Sequence, residues 1–267
     1  MNTDTIQEQI AAAKAYEALF VTALFKQWAP MVINAAKVKS GHRVLDVACG
    51  TGVLGREAFS KVGSSGYVAG VDIAPGMLEV ARRIEPSIDW KQAAADNLPF
   101  TDQSFDAVVC QFGLMFFPDA EGSLREMLRV LIPGGHLAVA VFDSLANIPA
   151  YADEVALLER SAGKKAADAL RAPFALGRKD DLVRLAKKSG VNSINVITHV
   201  GQATFPSIRS LVEADLRGWL PVMGVELAED KIEEILEEAE HAMNSYVNDN
   251  GQAVFPVSAH IFFGSKS

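Results

Sequence analysis

An acidic side chain, Asp46, interrupts the apolar run Val44-Leu45-Asp46-Val47 four positions before the first glycine of the turn Cys49-Gly50-Thr51-Gly52. Val44, Leu45 and Val47 favour β structure and lie between Gly41 and Gly50, so the run reads as a buried strand. Gly50 and Gly52 permit a sharp turn and let backbone N–H groups come close to a ligand. Val53, Leu54, Ala58 and Phe59 then recur at helical spacing. A strand, a glycine turn and a helix start make a cradle for a nucleotide-like ligand. Gly50, Gly52 and Gly55 also satisfy G-x-G-x-x-G, with Asp72 about twenty residues further on. Spacing does not choose between ligands, but charge does. A dinucleotide would lay its anionic pyrophosphate over this turn, where the Asp46 carboxylate would repel it. A cationic, phosphate-free nucleoside turns the same acid into an attractive partner, directly or through a water.

The segment 44–52 resembles motif I of class I S-adenosylmethionine-dependent methyltransferases. Residues 41–143 are similar to the small-molecule branch of that family, which includes the ubiquinone and menaquinone C-methyltransferases. Val71-Asp72-Ile73, Asp96-Asn97-Leu98-Pro99-Phe100, Ser104-Phe105-Asp106 and Arg129-Val130-Leu131-Ile132-Pro133-Gly134-Gly135 follow in the family's order. The resemblance implies S-adenosylmethionine as cofactor, whose methionine part carries an ammonium and a sulfonium. It places Asp46, Ala48, Gly50, Thr51 and Gly52 around that part and Asp72 on the ribose hydroxyls. Ala95, Asp96 and Asn97 would contact the adenine, and Ile73 and Met77 would bound its face by dispersion. Gln111 ends an apolar stretch where a long polar side chain needs a partner, and the methionine end of the cofactor would supply one. For Asp72 the plainer alternative is a cap on its own turn.

Composition fits an enzyme of this kind. With 267 residues, 49% of them apolar, the chain can bury a full core. A formal charge of −8 without a Lys/Arg stripe argues against a nucleic-acid surface. Cys49 and Cys110 are too few for a disulfide scaffold and lack zinc-ligand spacing, so buried thiols and no metal are expected. No basic segment followed by an apolar one opens the sequence, and no run reaches the roughly 20 apolar residues of a spanning helix. Cytoplasmic residence is the expectation, with peripheral membrane contact reserved for a quinone or lipid acceptor.

Strands are expected near 43–48, 67–72, 89–93, 105–111 and 135–142, with helices near 53–62, 75–85 and 119–131. This alternation specifies an α/β, doubly wound, Rossmann-like sheet with helices on both faces. Helices near 149–160, 165–172 and 179–188, a strand at 194–200, helical stretches at 207–219 and 226–247 and a strand at 253–263 follow. The resemblance implies seven strands, the last antiparallel and inserted beside the fifth. The acidic stretch from Glu226 to Glu240 reads as a solvated helix face. Three parts are expected: residues 1–40 as an N-terminal helical cap, 41–143 as the cofactor-binding core, and 144–267 completing the sheet with helical insertions that shape the substrate-binding part. Tyr16, Leu19, Phe20, Ala23, Leu24, Trp28 and Met31 mark a helix or helix pair interrupted near Pro30, docked on the core or closing over the site.

Methyl transfer from a sulfonium asks for positioning and water exclusion rather than a nucleophilic residue. No side chain is identifiable as the base. His136 and His42 read as structural, whereas His199, His241 and His260 lie in the variable half, and Tyr16 and Tyr151 sit on elements expected to border the pocket. Gln111-Phe112-Gly113-Leu114-Met115-Phe116-Phe117 suggests a pocket for a small apolar or aromatic acceptor. A nicotinamide-dependent oxidoreductase and a non-catalytic cofactor-binding protein are the alternatives.

Overall fold

The structure is a computed structural model that describes residues 3–266. Its centre is one seven-stranded sheet: β1 (Arg43–Val47), β2 (Tyr67–Asp72), β3 (Asp89–Gln92), β4 (Phe105–Gln111), β5 (Leu131–Phe142), β6 (Asn192–Phe205) and β7 (Ala253–Ser265), in the spatial order β3-β2-β1-β4-β5-β7-β6. β7 runs antiparallel to both β5 and β6, while the other pairings are parallel. The inserted antiparallel last strand is therefore present. β5 starts earlier than its glycine turn suggested, because Leu131 already pairs with Phe105 before the register shifts.

Alternation along the strands divides the core between two faces. Val44, Ala107, Val109, Ala138 and Ala140 turn to one face, beneath α2 (Ala29–Ala35) and α3 (Val53–Val62). Leu45, Val47, Val108, Cys110, Leu137 and Val139 turn to the other, against α5 (Ala120–Val130) and α8 (Lys179–Lys188). The remaining helices are α1 (Thr3–Tyr16), α4 (Pro75–Ile84), α6 (Pro149–Ala162), α7 (Lys164–Arg171), α9 (Ile208–Ala214), the short α10 (Leu220–Val222) and α11 (Glu229–Ala242).

The N-terminal segment is less regular than its spacing suggested. After α1 the chain widens into a π-helix over Glu17–Phe25 and tightens into a 3-10 turn at Lys26–Trp28; Pro30 then sits in the first turn of α2. α1 crosses α4 at Gly76, where a Cβ would stand 2.6 Å from the Gln9 backbone. Farther along, Gln27 reaches the open edge of β6. Its Nε2 donates to the Gln202 carbonyl and its Oε1 accepts from the Gln202 N–H, each at 2.9 Å. The acidic face of α11 is also more than a solvated surface, since Glu229 and Glu233 pair with Arg217, and Glu238 with Arg160. Exposed pairs of this kind contribute only about 0–1 kcal/mol each.

Strand order reverses between β1 and β4, and the crevice of such a sheet lies beyond the strand ends at that switch point. Both ends are conformationally special. Ala48 and Phe112 adopt left-handed backbone, with φ of 57° and 55°, an arrangement that costs a non-glycine residue about 1 kcal/mol or more. A Cβ on Gly113 would meet the Ala48 Cβ at 2.6 Å, so only glycine lets the two strand ends close up.

Candidate active site

Asp46 lies at the switch point, 1% exposed; the Gly55 N–H faces its carboxylate, but among the described residues neither oxygen has a partner at full hydrogen-bond geometry. Burial pushes its pKa well above the usual carboxylate range; the Gly55 N–H and the Arg56 guanidinium oppose this, and Asp72 adds to it. A buried carboxyl left without a fully formed hydrogen bond calls for water or a ligand group.

The glycine turn is built differently from its sequence reading. A Cβ on Gly52 would stand 2.5 Å from the Trp90 indole, one on Gly55 2.9 Å and one on Gly70 2.3 Å. These three glycines make room for Trp90, whose Nε1 donates to the Glu85 carbonyl at 2.8 Å. Gly52 is therefore held to glycine by the indole and by its φ of 90°. Gly50 differs, because nothing lies within 4 Å of its would-be Cβ. Its N–H is nevertheless taken, donating to Asp72 Oδ2 at 2.8 Å.

Asp72 Oδ1 also accepts from the Ala74 N–H at 2.9 Å, so the turn-capping alternative describes its contacts. Each oxygen retains a second lone pair. Burial raises its pKa, and the Ala74 and Gly50 amides hold the rise in check. Beside it Ile73 is 69% exposed, an apolar side chain left open at the rim, while Met77 is half-buried against Val80. Asp96 and Asn97 are exposed and Ala95 is half-buried on the loop after β3. α5 fixes that loop: Glu126 accepts from the Leu98 N–H, and Arg129 donates to the Leu98 and Phe100 carbonyls.

The N-terminal segment closes the other side. Glu17 accepts from the Thr51 hydroxyl and pairs with Arg56 Nη2 at 2.7 Å, while Arg56 Nη1 donates to the Thr51 carbonyl. Thr51 is thus engaged by Glu17. A cavity of about 250 Å³ opens beside this latch, between Val21, Lys26 and Val53. Tyr16 stacks on Phe20 and Phe25 at 6.0 and 5.5 Å, and burial together with Asp72 and Glu17 raises its pKa. Gln111 Nε2 donates to the Phe25 carbonyl at 3.1 Å, which leaves its buried Oε1 without a partner. The structure therefore gathers Asp46, Ala48, Gly50, Thr51, Asp72 and Gln111 around the ends of β1, β2 and β4.

The histidines stand apart from this crevice. His136 is half-buried on β5 and His241 is exposed on α11. His260 is buried, its Nε2 lying 3.0 Å from the Gly177 carbonyl and 3.1 Å from Asp143 Oδ1, and its Nδ1 3.0 Å from the Thr198 hydroxyl. It borders a separate cavity of about 400 Å³ with Asn147, Arg178 and Lys179. Cys49 and Cys110 are free and buried, and burial raises both thiol pKa values. Tyr151 is buried on α6 close to Asp215 and Glu154, an environment that holds its phenol protonated.

The sequence reading missed Trp90 and the acids Glu154 and Asp215. No local signal ties Trp90 to glycines on three other elements. The two acids did leave one, since each occupies a position in the apolar stripe of its helix.

Comparison with known proteins agrees with this geometry. The sequence model of the ubiE/COQ5 methyltransferase family matches residues 8–156, more than half of the chain. Demethylmenaquinone methyltransferase of Paenarthrobacter aurescens is 43% identical over 117 residues, 44% of this chain and 45% of the relative. The chain spans about half the length of the curated relatives it matches. Two solved structures share the fold. A protein described as a methyltransferase of an antibiotic biosynthesis pathway from Anabaena variabilis superposes with a TM-score of 0.66 at 18% identity, covering 90% of this chain and 96% of that one. Phosphoethanolamine N-methyltransferase 2 of Haemonchus contortus, in complex with S-adenosyl-L-methionine, gives 0.60 at 18% identity, covering 96% of this chain and 57% of that one. On the strength of the matched core, the chain belongs to the ubiE/COQ5 methyltransferase family.

Proposed function

We propose that this protein is an S-adenosylmethionine-dependent methyltransferase acting on a small, apolar, ring-bearing acceptor. The observation that carries the reading is Asp46, whose two buried oxygens lack a fully formed hydrogen bond beneath the glycine turn. Asp46 and the orphaned Gln111 Oε1 would receive the methionine ammonium, two acceptors for a group that only donates. Asp72 would take the ribose hydroxyls on its remaining lone pairs, and Ile73 would lie against the adenine. The open space over Gly50 leaves room for the chain between them. A pyrophosphate has no place beside Asp46, which disfavours a nicotinamide cofactor.

The bound cofactor supplies an activated methyl group. The protein's work is then to hold the acceptor atom about 3 Å from that methyl, in line with the departing sulfur, and to exclude water. Tyr16, Phe20 and Phe25 on the N-terminal segment, with Phe112 and Phe142 at the ends of β4 and β5, form the apolar wall for that task. Tyr16 and Tyr151, their phenols held protonated by burial, serve as hydrogen-bond donors rather than bases. A relative named demethylmenaquinone methyltransferase supports a quinone-like ring as acceptor. A long-tailed acceptor of that type would bring the protein to a bilayer surface, which flotation with liposomes measures. No helix among the described residues is long and apolar enough to cross a membrane.

Titration with S-adenosylhomocysteine and, separately, with NAD tests the cofactor assignment, since only the former should bind and raise the melting temperature. Incubation with labelled cofactor and a metabolite extract then identifies the methylated species. Binding without any labelled product would reduce the protein to a cofactor-binding role.

A further inference from the structure

The glycine turn already holds a carboxylate, and it is the protein's own. Glu17 opens the π-helix Glu17–Phe25, a distortion frequent at functional sites. One of its oxygens accepts from the Thr51 hydroxyl and the other from Arg56 Nη2, so the carboxylate is gripped through both atoms. Thr51 is 1% exposed. Arg56 Nη1 also donates to the Thr51 carbonyl at 2.7 Å, which ties the guanidinium to the turn. Thr51, between Gly50 and Gly52, and Arg56, next to Gly55, thus form a hydroxyl and guanidinium clamp that suits one carboxylate group.

The clamp adjoins the acid that would receive the methionine ammonium, since Asp46 faces the Gly55 N–H and lies within electrostatic reach of Arg56. In an amino acid the ammonium and the carboxylate sit on one carbon, so a site that takes the first must provide for the second. Asp46 and Asp72 would repel a carboxylate, and Gln111 Nε2 already donates to the Phe25 carbonyl. Thr51 and Arg56 supply the hydroxyl and the positive charge such a group needs, and Glu17 occupies both. Its hold is a weak one, because the pairing with Arg56 is partly exposed. Room to withdraw is also present: Glu17, Lys26 and Arg56 line the cavity of about 250 Å³, and Lys26 forms no ion pair among the described residues.

We propose that Glu17 is a built-in competitor for the cofactor: its carboxylate fills the Thr51 and Arg56 clamp in the ligand-free protein, and the cofactor's own carboxylate displaces it into the neighbouring cavity. The guanidinium stays paired in both states, and the same exchange run backwards helps to expel the spent cofactor. The proposal rests on the methyltransferase reading and adds how the crevice admits and releases that ligand. The test titrates the full chain by calorimetry with S-adenosylhomocysteine and with its decarboxylated analogue, which keeps the nucleoside and the ammonium. The ratio of the two affinities isolates the carboxylate. Glu17→Gln should raise that ratio about fivefold, through tighter S-adenosylhomocysteine binding, because the clamp is then vacant more of the time. Arg56→Gln should lower it about tenfold, the worth of a charge-assisted hydrogen bond, without weakening the analogue. A ratio that Glu17→Gln leaves unchanged or reduces would overturn the proposal, and so would an Arg56→Gln protein that loses both ligands alike. Failure of both compounds to bind the wild-type protein would instead strike the methyltransferase reading itself.

Discussion

Two pairs of buried acids, Asp46 with Asp72 in the crevice and Glu154 with Asp215 in the helical layer, are built on different principles. At the turn, Asp72 is tied to the Gly50 and Ala74 amides, and the Arg56 charge lies within reach of Asp46. Backbone amides thereby hold the burial-driven rise of the Asp72 pKa in check where a cation is expected. On α6 and at the π-turn after α9, Glu154 and Asp215 have neither amide nor cation, only each other. Sharing a proton is the cheaper solution there, since an isolated buried charge costs several kcal/mol. The first pair suits a cationic ligand, whereas the second satisfies itself by sharing a proton.

Substitution at each pair sharpens this contrast. Asp72→Ala should lower S-adenosylhomocysteine affinity by about a hundredfold in calorimetric titration, the worth of charge-assisted bonds to two hydroxyls. The double change Glu154→Gln with Asp215→Asn should do the reverse for stability, raising it by about 2 kcal/mol near pH 8 in chemical denaturation, because it removes uncompensated buried acids. The same variant carries a pH signature. Asp215 is raised from 3.8 to about 7, so the folded protein keeps its proton longer than the unfolded chain does. The ligand-free wild-type protein should therefore lose stability as pH rises across that window, and the double variant should show a flatter profile. Asp46→Asn should weaken S-adenosylhomocysteine about tenfold while stabilising the ligand-free fold by about 1 kcal/mol, visible as a higher melting temperature. If it destabilises instead, Asp46 has a protein partner and the contrast between the pairs fails. Glu17→Gln should cost least, about 0.5 kcal/mol, since its pairing with Arg56 is partly exposed.

What could be read in advance follows from the range of the signal. The strand at Arg43–Val47, the helix at Val53–Val62 and the acids Asp46 and Asp72 are announced by neighbours within a few residues, where alternation and turn chemistry act. The reason for Gly52 was not legible in this way. Its constraint comes from Trp90, thirty-eight positions away in the sequence, so a glycine that looked ligand-directed proves to seat an indole. Glu154 and Asp215 occupied an intermediate case. Each broke a helical stripe visibly, but their mutual contact depends on how the helices that carry them pack, which periodicity does not encode. The π-helical stretch Glu17–Phe25 was hidden for a similar reason, since its apolar residues fit ordinary helical spacing and the widening shows only in the backbone.

The carboxamide of Gln27 occupies the hydrogen-bonding groups that a further strand would use at Gln202. An outermost strand with free amides invites pairing with foreign chains. Docking of the N-terminal segment thus does double duty: it shuts the crevice and blunts the sheet's adhesive rim, so a molecule shorn of that segment should be prone to clumping as well as leaky to solvent.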